Sequence, residues 1–356
     1  MESSWEKIIF QRRREKEYGY PMDTKWYDNK SIDPFYIAKW KSYTPFYKLF
    51  LQTKGSFMKR LRSSMNTIQQ KKEKAWIEES RFSMKSHHSI INLYVYRPWK
   101  EEKNLPCILY LHGGAYVGGG IAMSENVCRA ISKQAHAVVC YVEYRLAPQA
   151  QFPLALEDCY AAIDWIMQKA KQLKIQKDAF YICGESAGGN LALGCCIKDI
   201  EKQQKRIKGC ILFYPHLDMK EKIQDIYQIS LPKNKIVKKW IRKDMLMLYG
   251  SLQITKKLYL QHQEDLENPL ISPYYYKNLA KLPPIFMIQA QFDALQKQGE
   301  RFAQKVYEAG GNIRRIQYKG VLHAFLDHIG YLPQVYDAIE EIAFFIQSRK
   351  GDEKNE

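Results

Sequence analysis

Residues 180–190 read Phe-Tyr-Ile-Cys-Gly-Glu-Ser-Ala-Gly-Gly-Asn. A short apolar run at 179–183 leads into Gly184-Glu185-Ser186-Ala187-Gly188, a G-x-S-x-G pentapeptide, and a small-residue helical stretch at 187–200 follows. Strand, tight turn and helix in that order lift a serine hydroxyl above the end of a sheet. The backbone bends so sharply there that the positions two before and two after the serine must lack bulk. Gly184 and Gly188 meet that need, which makes Ser186 the candidate nucleophile of an acyl transfer.

Acyl transfer also needs donors for an oxyanion, a base and an acid that orients the base. The apolar run 107–111 ends in His112-Gly113-Gly114-Ala115-Tyr116-Val117-Gly118-Gly119-Gly120. Such a turn exposes backbone N–H groups. Gly114 and Ala115 are the expected donors, Gly113 lets the loop approach closely, and Ala187 adds an N–H after the nucleophile. The run matches neither a phosphate loop nor a dinucleotide fingerprint. His112 lies on the wrong strand for a base and is expected to brace the loop. The base is expected after the last strand, where Lys319-Gly320-Val321-Leu322-His323 places His323, with His328 as its rival. The orienting carboxylate is expected at Asp293, after the run 284–289, with Asp218 one strand earlier as the alternative. Asp293 also stands where an aspartate commonly caps a helix. The order Ser186, Asp293, His323 is the serine–acid–histidine order of a hydrolase sheet.

These residues need a scaffold. Candidate strands at 81–86, 90–96, 107–111, 137–143, 179–183, 209–214, 284–289 and 312–318 alternate with helical patterns at 122–134, 153–172, 187–200, 296–309 and 333–348. The middle strands are continuously apolar, as strands buried on both faces are. The alternation predicts an α/β fold: an eight-stranded, mostly parallel sheet with helices on both faces and chemistry beyond the strands' carboxyl ends. Two stretches break the pattern. Between Tyr214 and Pro284 the connection is far too long for a plain loop, and it carries a lysine-rich amphipathic piece at 232–250. The N-terminal quarter is rich in aromatic residues; Phe35, Tyr36, Trp40, Tyr43 and Tyr47 suggest a helix broken at Pro45, with a second over 51–68. Residues 216–270 and 1–78 are therefore read as a helical cap over a core spanning 79–356.

Composition narrows the partners. No apolar run approaches the roughly 20 residues needed to span a bilayer, and no apolar stretch follows Arg12-Arg13-Arg14 to make a secretory signal. Eight cysteines sit mostly in apolar contexts without a C-x-x-C pair, as small core residues of a reducing, cytoplasmic compartment would. Eight scattered histidines show no metal-ligand spacing. The net charge of +17 comes without a nucleic-acid motif; it reads as a lysine-rich solvated surface, with attraction to a membrane surface not favoured.

The chain resembles the hormone-sensitive-lipase branch of the α/β-hydrolase superfamily, carboxylesterases with an HGG-type oxyanion motif. His112-Gly113-Gly114, Tyr144-Arg145-Leu146-Ala147-Pro148, Gly184 to Gly189, Asn268-Pro269-Leu270-Ile271-Ser272-Pro273, Asp293 and His323 carry the likeness. The resemblance implies an α/β-hydrolase fold with a cap from the N-terminal segment and an insertion after the sixth core strand. It implies a serine carboxylesterase that acts on short- to medium-chain esters through an acyl-enzyme on Ser186, without a metal or cofactor. An interfacial lipase, or a non-catalytic small-molecule receptor on the same scaffold, are the alternatives. Two departures stand out: Ala115 replaces a glycine common in the family, and Ala294 with Gln296-Lys297 follows Asp293 where proline and an acidic residue are frequent. A homodimer through an edge strand at 312–318 is a further expectation.

Overall fold

A computed structural model of the protein describes residues 11–17, 20–26, 32–40, 77–87, 89–98, 104–261 and 266–352. One sheet organises them. Its strands are β1 (Gln11–Glu17), β2 (Tyr20–Trp26), β3 (Ile77–Ser86), β4 (Ser89–Pro98), β5 (Leu105–Leu111), β6 (Val138–Glu143), β7 (Ile175–Glu185), β8 (Ile207–Phe213), β9 (Ile285–Phe292) and β10 (Ile313–Leu322). They lie in the order β1-β2-β10-β9-β8-β7-β5-β6-β4-β3. The stretch from β2 to β6 is parallel, while β4, β3 and β1 run antiparallel to their neighbours.

The eight expected strands are β3 to β10. Two more, β1 and β2, extend the sheet to ten. Gln11–Glu17 holds no apolar residue from which a strand is read, and Tyr20–Trp26 sets Tyr20, Met22 and Trp26 alternately with Pro21, Asp23 and Lys25 but carries a proline, which weakens a strand reading. Pairing along β10 supplies the order that pattern does not. β2 thereby occupies the edge expected to be open at 312–318, so that edge is not free to pair across a dimer.

The helices are α1 (Pro34–Trp40), α2 (Ile121–Ala135), α3 (Leu154–Gln168), α4 (Ala187–Glu201), α5 (Ile223–Tyr227), α6 (Lys235–Tyr259), α7 (Gln296–Glu308) and α8 (Pro333–Asp352). Successive strand residues face opposite sides. Cys107, Leu109 and Leu111 of β5 join a core with α3 and α4, while Ile108 and Tyr110 join another with α2 and α8. Every residue of β5 is buried. Each such leucine or isoleucine contributes about 1.5–3 kcal/mol by leaving water.

After β5 the chain turns to one side, through α2 to β6, and then crosses to the other for β7. The crevice at such a reversal is where α/β sheets place ligands. Leu111 is paired with Gly184, so the loop after β5 and the turn after β7 emerge side by side. β8, β9 and β10 follow in order away from them.

Between β8 and β9 lies the long connection. Asn234 caps α6 by accepting the Ile236 and Val237 N–H groups at 3.0 and 3.2 Å. Ile241, Met245, Leu252, Thr255, Lys256 and Tyr259 form its buried face at the 3.6-residue period of an amphipathic helix. α6 runs on past Gly250, the end of the stretch read as amphipathic. Of the aromatic N-terminal segment, α1 packs Phe35 and Tyr36 against His328, with ring centroids 4.9 and 5.5 Å away. Tyr43, Pro45, Tyr47 and the expected helix over 51–68 fall outside the described residues.

Candidate active site

The turn after β7 has the strained geometry the pentapeptide demands. Ser186 adopts φ 52° and ψ −115°, a conformation L-residues avoid at a cost of about 1–3 kcal/mol. The neighbours hold it there: the Ser186 N–H donates to the Phe213 carbonyl at 2.9 Å, and the Ser186 carbonyl accepts from the His216 N–H at 3.0 Å. A Cβ on Gly184 would sit 2.2 Å from the Gly188 carbonyl oxygen, and one on Gly188 would sit 2.1 Å from that of Leu111. Neither position accepts a side chain.

The structure brings Ser186, His323 and Asp293 into one line. His323 follows the last residue of β10, and its Nε2 lies 3.0 Å from Ser186 Oγ. Its Nδ1 lies 2.8 Å from Asp293 Oδ2. In the tautomer this geometry favours, Ser186 O–H donates to Nε2 and Nδ1–H donates to the carboxylate. Asp293 is 1% exposed and also makes the local turn expected of an aspartate there, its Oδ1 accepting the Leu295 N–H at 2.8 Å. One oxygen shapes the loop while the other orients the imidazole. The alternatives lie elsewhere. Asp218 accepts the Lys220 N–H at 2.8 Å, and His328 packs on the aromatic rings of α1.

The loop after β5 folds back on itself, with Gly118 N–H donating to the Gly114 carbonyl at 2.9 Å. Gly114 takes φ 116°, and Ala115 and Tyr116 take φ 52° and 65°. Ala115 therefore adopts the left-handed backbone that a glycine would adopt without strain. Among the described residues, the N–H groups of Gly114, Ala115 and Ala187 have no acceptor. The Gly113 amide instead supports the Glu185 carboxylate. His112 braces the loop as expected. It is buried, its Nδ1 lies 2.6 Å from the Gly113 carbonyl, and its ring stacks on Tyr144 at 4.2 Å. Burial pushes its pKa down to about 4, so it is neutral near pH 7.

Other residues join the site without a signal of their own in the sequence. His216, 1% exposed, contacts Tyr116 Oη through Nδ1 at 3.2 Å and bonds Glu221 through Nε2. Glu221 also receives Gln253 at 2.9 Å and Lys256 at 3.2 Å, both from α6. Tyr259 of α6 stacks on Tyr116 with centroids 4.0 Å apart. The loop after β5, the end of β8 and α6 are thus tied into one unit. On α6, half-buried Asp244 has its carboxyl pushed up to about 6 by desolvation, opposed by the charge of His323. Asn190 donates to the carbonyls of His216 and Ile271 at 2.9 and 2.8 Å, which anchors α4 to the segment 268–273. Arg145 forms a two-pronged pair with Asp158 at 2.8 and 2.7 Å. Among the described residues no His, Cys, Asp and Glu cluster suits a metal ion.

The same features recur in known proteins. A family model described as alpha/beta hydrolase fold matches residues 108–327. An arylesterase of Saccharolobus solfataricus is 31% identical over 239 residues, which make up 65% of this chain and 72% of that protein. A hyperthermophilic esterase from the archaeon Pyrobaculum calidifontis superposes with a TM-score of 0.76 at 26% identity, covering 89% of this chain and 98% of that one. A thermostable carboxylesterase from a metagenomic library superposes with a TM-score of 0.72 at 27% identity, covering 84% and 98%.

Proposed function

The chain belongs to the alpha/beta hydrolase family, and on its site we propose that it is a serine carboxylesterase cleaving small esters through an acyl-enzyme on Ser186. The observation that carries this reading is the line Ser186–His323–Asp293, at 3.0 and 2.8 Å, beside a loop of N–H groups without acceptors.

His323 takes the Ser186 proton as Oγ attacks the ester carbonyl carbon. Asp293 keeps the imidazole in the tautomer with Nδ1 protonated and stabilises its charged form. The carbonyl oxygen becomes an oxyanion and is received by the N–H groups of Gly114, Ala115 and Ala187. Preorganised donors of this kind are worth about 2.7–4 kcal/mol each in acyl transfer. Gly113 serves the loop through its missing side chain, which lets the backbone approach Glu185 closely. The tetrahedral intermediate collapses as His323 passes its proton to the departing alcohol. Water, deprotonated by the same histidine, then cleaves the acyl-enzyme and restores Ser186.

Residues 216–270 are read as a roof over this site. With α6 fixed to the oxyanion loop through Tyr259 and the Glu221 group, the roof restricts long acyl chains and favours short to medium ones. Eight buried, unpaired cysteines support a reducing compartment such as the cytoplasm. Among the described residues no helix is long and apolar enough to cross a membrane.

Ser186→Ala is expected to abolish hydrolysis of p-nitrophenyl acetate and butyrate, whereas wild-type turnover in that variant would refute the reading. One observation favours a second reading, a lipase working at an anionic interface. Lys222, Lys233, Lys235, Lys238, Lys239 and Lys243 are exposed together with Ile236 and Tyr227, and no acidic residue from 222 to 243 is exposed. That reading expects a jump in rate as an ester passes its solubility limit; smooth saturation counts against it.

A further inference from the structure

Glu185 sits inside the pentapeptide, yet the acyl-transfer steps give it no task. It ends β7, is 6% exposed, and precedes Ser186. Its oxygens are held separately: Tyr110 O–H donates to Oε1 at 2.9 Å, and Tyr214 O–H donates to Oε2 at 3.1 Å. The Gly113 amide supports the same carboxylate. The contact with the oxyanion loop is close, since a Cβ on Gly113 would lie 3.3 Å from Glu185 Cγ. The Tyr214 ring in turn lies 4.8 Å from the His323 ring. Two phenols that both donate suit an ionised carboxylate, and hydrogen bonds to a charged group are worth about 1.5–3 kcal/mol each.

We infer that Glu185 is a positioning residue with two linked tasks: it clamps the oxyanion loop through the Gly113 amide, and its negative charge helps hold the proton that His323 carries during acyl transfer. This rests on the acyl-transfer reading of Ser186.

The surroundings favour both tasks. Tyr110 from β5, Cys128 from α2, Tyr141 from β6, Cys183 from β7 and Tyr214 after β8 face Glu185, together with Tyr144 after β6, and burial keeps all of them neutral. His323 is the neighbour that becomes cationic during acyl transfer. Burial raises the Glu185 pKa; the two tyrosines, the Gly113 amide and His323 oppose that rise. His323 itself faces three carboxylates: Asp293 in direct contact, Asp244 from α6 and Glu185 from β7. A negative charge in a water-poor site stabilises imidazolium more than it would in water. Removing it leaves the imidazolium formed during acyl transfer less stabilised.

The test is the pH dependence of kcat and kcat/KM for a p-nitrophenyl ester, with thermal midpoints, in wild type, Glu185→Gln and Glu185→Asp. Glu185→Gln is expected to lower kcat about 10- to 100-fold with KM within about twofold, and to move the acid limb to lower pH. Glu185→Asp keeps the charge and shortens the reach, so kcat falls while the acid limb stays in place. Wild-type kcat in Glu185→Gln overturns the inference. So does a loss of stability and kcat that leaves the acid limb unmoved in both variants, which is the signature of a merely structural carboxylate. Should Glu185→Gln fail to fold, unchanged kcat in Glu185→Asp overturns the clamp. Ser186-dependent hydrolysis in wild type with an unaffected Glu185→Gln would sink this inference alone; hydrolysis independent of Ser186 would sink the underlying reading.

Discussion

Gly119→Ala tests whether the shape of the oxyanion loop sets the rate. Gly119 takes φ 92°, and a Cβ there would lie 2.3 Å from both the Gly113 carbonyl oxygen and His112 Nδ1. Ordinary contact begins near 3.4 Å, so these atoms must part by about 1 Å. Both belong to the segment that precedes the Gly114 and Ala115 donors, and His112 is pinned from behind by Tyr144. The displacement therefore passes to the donors. A misplacement of about 1 Å in a preorganised site costs about 100-fold, or about 2.7 kcal/mol of transition-state stabilisation. The loss should fall on kcat with KM little changed, because the donors act on the oxyanion rather than on the bound ester. Two controls separate the contributions. Gly310→Ala meets open space at φ 81° and carries the backbone strain alone; Gly250→Ala, within α6, meets nothing within 4 Å and carries neither. Gly310→Ala should lose about 1–2 kcal/mol of stability with wild-type kcat, and Gly250→Ala should gain up to about 1 kcal/mol from helix propensity. Steady-state kinetics on p-nitrophenyl butyrate with urea unfolding reads all three. Wild-type kcat in a folded Gly119→Ala protein would refute the reasoning.

Asp293→Asn removes the charge that orients His323 at 2.8 Å, and kcat should fall about 10⁴-fold; a loss below tenfold would mean that another carboxylate does the work. Glu221→Gln leaves Lys256 and His216 facing a neutral group at their buried pairs. Urea denaturation near pH 7 should show about 3 kcal/mol less stability, and a change under about 1 kcal/mol would contradict it. Burial opposes ionisation of Glu221, but the charges of His216 and Lys256 outweigh it and hold the carboxyl below its ordinary 4.5. A depressed acid stabilises the fold above its unfolded pKa and loses that contribution as pH falls through the folded one. The wild-type unfolding midpoint should thus fall below about pH 4.5 with a slope that Glu221→Gln flattens; equal slopes would exclude Glu221 as the cause.

The parts of the fold that could be read in advance are those whose signal is local. β5 and β7 are apolar runs, the turns after them need glycine for steric reasons visible in Gly184 and Gly188, and a catalytic serine, acid and histidine must each follow a strand in a parallel sheet. Boundaries slipped where that signal is weak. β7 begins at Ile175 rather than 179 and β10 runs on to Leu322, because pairing with neighbours extends strands beyond their apolar centres. α3 ends at Gln168 rather than 172. β1 went unread because charged residues fill it, and β2 because Pro21 interrupts a short alternation that becomes a strand along the flank of β10.

The turn at Ser186, the glycine-rich loop after β5 and the order of Ser186, Asp293 and His323 along the chain are legible from residue types, since each feature rests on backbone conformation within a few residues. Which groups surround them depends on how the strands assemble. Asp293 accepts the Leu295 N–H in a local turn without capping α7, and its other oxygen meets His323 on a loop 30 residues away. The bond between His216 and Glu221, the stacking of Tyr259 on Tyr116, and the two phenols on Glu185 join residues far apart in the chain. No spacing rule encodes them, because they exist only once the sheet has set its strands side by side.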